Sequence, residues 1–190
     1  MEQSVKDSLI EKMGTANQLL QEINDALGRE TSEIEKDLKL RFPRGYIRTA
    51  DEFRNMFQCV KDDTMKSNIA YQLILSDVFS WLLNRTDLFG TSKEMLIKYE
   101  IALMSSVAES LLVIFAIGEK SYRSRLAYLV NNKIITRKVG IELWWLWKFR
   151  KGIHLFEIDV KEHQKYKEEH FDRAVIAVRN MVHELNTKCK

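Results

Sequence analysis

The chain has 190 residues, 45% of them apolar and 30% charged, with a formal net charge of +3. That suits one domain with a real core, and a single proline and seven glycines leave too little punctuation for a many-stranded fold. No charge-free apolar run reaches the roughly 18 residues of a membrane span, and the N-terminal "MEQSVKDSLIEK" lacks the apolar stretch of a secretory signal. Cys59 and Cys189 make neither a disulfide framework nor a zinc spacing. A cytoplasmic protein with no metal, no cofactor and no membrane association is expected.

The elements follow in chain order. Val5, Leu9, Met13, Ala16, Leu20, Ile23 and Leu27 recur at helical spacing, close to a heptad seam, and Gly28 stands where a C-capping glycine belongs. Such a narrow stripe needs a partner, in its own domain or on another protein. A short second helix is expected in "TSEIEKDLKL", broken by "RFPRGYIRT". Thr49 with Glu52 reads as a capping box. Residues 64–84 form a longer, mostly apolar helix whose lone acid, Asp77, reads as a satisfied core or interface group. Thr91 with Glu94 reads as a second capping box, opening a helix to about Ile117 that is apolar on most faces and so belongs at the centre. A helix from about Ser121, one capped by Thr136, a loop of about a dozen residues, and a last helix over about 168–186 complete the chain. The expected fold is all-α, an antiparallel helical bundle over residues 49–190 preceded by a helical arm over 1–48.

Charge is unevenly spread. Residues 1–118 hold 14 Lys and Arg against 18 Asp and Glu, residues 119–154 hold nine against two, and residues 155–190 hold seven against seven. A polyanion would meet the middle region, where Arg123, Arg125, Arg137, Lys138, Lys148 and Lys151 are the candidate RNA-binding residues. Tyr122 and Tyr128, interleaved with Arg123 and Arg125, either stack on single-stranded bases, or Tyr128 forms one buried stripe with Leu126 and Leu129.

The most distinctive stretch is "ELWWLWKFRKGIHLFEID", residues 142–159. Trp144, Trp147 and Leu143 are expected to form a buried stripe that fixes the cationic end. If the helix persists through Lys151, Arg150 and His154 share a face. A guanidinium grips phosphate oxygens and stabilises transition-state charge, and an imidazole moves protons near neutral pH. Against this stands the ordinary preference of cations for helix C-termini. A similar pattern, Arg179 to His183 in "RNMVH", reads as an exposed helix face without substrate access.

"YLVNNKIITRKVGIELWWLWKFRKGIHLFEID" followed by "YKEEHFDRAVIAVRNMVHEL" resembles the C-terminal half of HEPN-fold proteins. These are small all-α domains, many of them metal-independent RNases of toxin–antitoxin and anti-phage systems. The resemblance covers roughly residues 60–187. It implies a catalytic Arg150–His154 pair, with Lys151 at the position commonly held by asparagine and a spacing tighter than usual in the family. It also implies a homodimer whose two-fold axis brings two such pairs into one cleft. Two further readings need no catalysis. One is a helical interaction protein that dimerises or binds a protein through the N-terminal helix. The other is an inhibitor that meets a ribonucleoprotein through the basic region.

Overall fold

The structure, a computed structural model, describes residues 1–29, 38–43, 45–153 and 165–188. The described residues form seven α-helices and no strand: α1 (Gln3–Leu27), α2 (Ala50–Met56), α3 (Asp63–Arg85), α4 (Gly90–Phe115), α5 (Tyr122–Asn131), α6 (Arg137–Lys151) and α7 (Glu168–Lys188). The all-α reading holds. The chain divides into two compact units, Met1–Phe42 and Pro43–Lys190.

In the first unit, α1 runs 25 residues, about 37 Å at the helical rise. Gly28 ends it at a φ of 61°, its N–H donating to the Asn24 carbonyl at 2.8 Å. That left-handed backbone is where glycine is favoured. No residue of α1 is buried, and Val5, Leu9, Met13, Leu20 and Ile23 of its seam are all exposed. The short helix expected in "TSEIEKDLKL" falls almost wholly outside the described residues.

The second unit is the bundle, and α4 is its axis, touching α3, α5, α6 and α7. Its apolar residues lie on most faces, so it buries eleven residues, among them Ile101, Met104, Leu111 and Leu112. Around it α2 contributes Phe53, α5 Leu129, α6 Leu143 and Leu146, and α7 Met181 and Leu185, all fully buried.

Local chemistry sets most element boundaries. Thr49 and Glu52 form the expected capping box: the Thr49 N–H donates to Glu52 Oε2 at 2.7 Å and the Glu52 N–H to Thr49 Oγ1 at 3.2 Å. Asp62 caps α3 by accepting from the Met65 N–H at 2.7 Å. Ser121 and Ser124 form a second box at α5. Thr136 opens α6 as expected, and Glu184 of α7 reaches across to accept from both its N–H (2.6 Å) and its hydroxyl (2.8 Å). The box expected at Thr91 and Glu94 is a correction. The chain turns into α4 at Gly90, whose φ is +60°, with Phe89 as an N-cap that makes no side-chain bond. Thr91 therefore already lies inside the first turn.

Asp77 is satisfied, as its place in an apolar helix suggested. It is buried in α3 and accepts from Arg48 Nη2 at 2.6 Å, Nε at 3.0 Å and the Arg48 N–H at 2.9 Å. The Arg48 guanidinium also lies 4.4 Å from the Phe53 ring centroid. One buried carboxylate thus fastens the segment before α2 onto α3.

Candidate nucleic-acid interface

Helices α5 and α6 carry most of the basic region, and their close approach has one cause. Gly140 is buried in α6, and a Cβ there would stand 2.8 Å from Val130 Cγ2 of α5. Glycine lets the two backbones close together. Beside this contact runs an open groove of about 700 Å³, lined by Arg123, Ala127, Val130, Arg137, Ile141 and Trp144 among others. Its floor is apolar, and two of the candidate RNA-binding residues, Arg123 and Arg137, line it.

The tryptophans correct the sequence reading. The fully buried side of α6 is Val139, Gly140, Leu143 and Leu146, whereas Trp144, Trp145 and Trp147 are half-buried. Helical geometry explains this: positions 139, 143 and 146 repeat at the core-facing step, and 144 and 147 fall to one side of it. There the rings stack on one another. Trp144 and Trp147 lie 4.7 Å apart and nearly parallel, and Tyr122 of α5 continues the stack on Trp147 at 5.3 Å. Lys148 Nζ stands 5.6 Å from the Trp144 centroid and Lys151 Nζ 4.8 Å from that of Trp147, both within cation–π range. Two of the candidate cations are therefore held on the aromatic stack by the i, i+4 spacing of the helix.

Tyr122 is buried, and its hydroxyl donates to the Leu143 carbonyl at 2.9 Å. Burial, reinforced by Glu109, pushes its ionisation above the ordinary tyrosine range. It is a structural member of the stack rather than a free platform for a base. Of the proposed stripe with Leu126 and Leu129, both leucines are buried and Tyr128 is exposed.

Arg150 lies in the last turn of α6, with Nη1 3.5 Å from Glu109 Oε2 of α4. Both side chains are more than one-third exposed. An exposed pair of this length is worth about 1 kcal/mol or less, so a phosphate can compete for the guanidinium. Glu109 was missed in the sequence: it lies 41 residues from its partner, and its only signal is that it interrupts the apolar run of α4. Arg125 is turned away, its Nε–H donating to the Glu119 carbonyl at 2.9 Å. Lys138 is exposed on the first turn of α6. His154 lies outside the described residues, as does most of the loop that follows it.

The opposite side of α6 is clamped to α7. Arg173 donates to Glu142 through Nε (2.7 Å) and Nη2 (3.3 Å), and its guanidinium covers the Trp145 ring at 4.1 Å. His170 packs against Phe149 with centroids 4.7 Å apart, and burial lowers its pKa from the ordinary histidine value. Its Nδ1 accepts from the Lys167 N–H at 3.1 Å, so His170 serves to anchor the entry to α7.

The second unit is thus an all-α bundle with a cationic, aromatic-lined face on α5 and α6. Among the described residues no helix is long and apolar enough to cross a membrane, and no group of His, Cys, Asp and Glu is arranged to hold a metal ion. No known protein family, curated protein or solved structure matches the chain significantly.

Proposed function

We propose that the protein binds single-stranded RNA along the α5–α6 face and, in the manner of the HEPN-fold domains it resembles, cleaves it without a metal at Arg150 and His154. The observation that supports this is the Trp144–Trp147 stack with Lys148 and Lys151 over its rings, beside a groove lined by Arg123 and Arg137. Cationic and aromatic groups arranged in this way follow a sugar–phosphate backbone and stack bases without reading sequence.

In the cleavage step a base removes the 2′-hydroxyl proton. O2′ then attacks the adjacent phosphorus, and the P–O5′ bond breaks as O5′ receives a proton. The products are a 2′,3′-cyclic phosphate and a 5′-hydroxyl. Arg150 would neutralise charge growing on the phosphate oxygens, leaving Glu109 to do so, and His154 would carry the proton. A homodimer would set two such pairs in one cleft.

Fluorescence anisotropy with a labelled single-stranded RNA at several salt concentrations tests the binding. Trp144→Ala is expected to weaken it by about 1–3 kcal/mol, and Lys148→Ala to reduce the salt slope by about 1. Cleavage is followed in the presence of a chelator, with the product ends identified. His154→Ala is expected to retain binding and lose cleavage. Absence of binding even at low salt would end the reading, and a His154→Ala variant that cleaves as fast as the parent would end the mechanism.

One observation favours a second reading, a non-catalytic helical interaction protein. Helix α1 carries an apolar seam and buries none of it. On that reading deletion of residues 1–28 abolishes assembly, and the parent chain shows no cleavage.

A further inference from the structure

A second concave site lies away from the α5–α6 face. It is a cavity of about 420 Å³ bounded by α2, α3, α4 and α7. Phe53, Phe57, Leu73, Met104, Val178 and Val182 line it, and every one of them is buried. The cavity therefore reaches the core of the bundle. Its size and apolar lining fall within the range of small-molecule sites.

The polar groups around it divide into two kinds. Three are already engaged within the protein. Arg48 is held by Asp77, Ser76 donates its hydroxyl to Glu100 at 2.6 Å, and Asn186 donates to the Met56 carbonyl (2.7 Å) and accepts from the Cys59 N–H (3.1 Å). The other two are Arg179 and His183, one turn apart on α7 and both exposed. Neither side chain has a hydrogen-bond or ion-pair partner among the described residues. The neighbours of Arg179 one turn away are Val175, Ile176, Val182 and His183, so no carboxylate on its own helix neutralises it. A deep apolar cavity with a single uncompensated guanidinium and an imidazole at its edge is complementary to a molecule that is apolar at one end and anionic at the other.

We propose that this cavity binds a small amphipathic acid, its apolar body against Phe53, Leu73 and Met104 and its anionic head on Arg179 and His183. The sequence motif "RNMVH" contributes the head-group site, and the lack of access expected from the sequence gives way to a cavity that three other helices complete. The cavity shares no lining residue with the α5–α6 groove, and its occupancy does not depend on RNA binding.

Decanoate is a suitable probe, titrated calorimetrically into the full chain beside decanol and decylammonium. Saturable binding with one site per chain is expected, with decanoate tighter than either control. Arg179→Gln is expected to weaken it about tenfold, the scale of one charge-assisted hydrogen bond. Val175→Trp, which fills the cavity from its partly buried edge, is expected to abolish it. Circular dichroism establishes that each variant is folded, and both are expected to bind RNA like the parent. The proposal is overturned by a folded parent that takes up no decanoate, by decanol binding as tightly, or by either folded variant binding decanoate unchanged. It is equally overturned if Arg179→Gln loses RNA binding and keeps decanoate, because α7 would then belong to the nucleic-acid surface.

Discussion

Glu100 sits in the middle of α4 with no exposed surface, and Ser76 is the partner of its Oε1. Its Oε2 has no partner among the described residues. Burial pushes its pKa from an ordinary carboxylate value up to about 7, and the nearby Asp77 charge acts in the same direction. The unfolded chain ionises this group near the ordinary value while the folded chain holds the proton to about 7. Its stabilising contribution is therefore complete below the unfolded pKa and disappears as pH rises through about 7. The span between the two corresponds to about 3 kcal/mol. Glu100→Gln is expected to unfold like the parent near pH 4 and to be more stable than it at pH 8, by an amount of that order. Denaturant unfolding of both proteins at the two pH values checks this; equal stability at pH 8 would show that the buried carboxylate carries no penalty. Asp77 was legible in the sequence because an acid in an apolar helix must be satisfied. Glu100 was not, because α4 also carries Glu94, Lys98 and Glu109, and no spacing rule says which of these points inward.

At the level of elements, α6 shows where pattern reading succeeds and where it stops. Its start was legible, since Thr136 precedes the run and caps it. Its buried side was misassigned. Large apolar residues suggested tryptophans in the core, but three of them crowd adjacent turns of one helix, and the side that is fully buried is that of Val139, Leu143 and Leu146. The rings stack on each other and on cations instead, a choice made by tertiary neighbours. The α5–α6 contact is equally invisible in one dimension, because the closeness at Gly140 involves Val130, ten residues away. A methyl at position 140 would gain up to about 1 kcal/mol of helix propensity but must displace a stiff β-branched side chain, costing about 1–3 kcal/mol. Gly140→Ala is expected to destabilise the protein by about 1 kcal/mol, and adding Val130→Ala is expected to restore part of that loss. Thermal unfolding of the single and double variants decides it; a Gly140→Ala protein more stable than the parent would mean that α5 yields freely.

For the whole molecule, the all-α architecture was legible from helical periodicity and from the scarcity of proline and glycine. The central place of α4 was legible from its apolar character on most faces. The boundary of α4 was not, because "TSKE" satisfies the capping pattern while Gly90, at positive φ, admits the helix earlier. Of the candidate site, the cations on α5 and α6 were legible as a cluster. The Glu109 partner of Arg150 and the cavity beside Arg179 were not, since both are assembled from helices distant in sequence. Because α1 buries no residue, removing residues 1–28 is expected to leave the unfolding midpoint of the bundle unchanged within experimental error. A drop of several degrees would show that the seam of α1 supports the bundle.

The carboxamide of Asn186 has a consequence for how the chain acquires its fold. It is the latch between the last turns of α7 and the turn that follows α2, spanning 130 and 127 residues of sequence in its two bonds. A nascent chain emerging from a ribosome can form α2, α3 and α4 early, but this latch waits until position 186 is free. Until then the Met56 carbonyl and Cys59 amide lack their partner, and the Phe53–Phe57 end of the core lies open. Closure of so long a loop is slow compared with helix formation. Newly made chains would thus pass through an interval in which that end is open to chaperones and proteases.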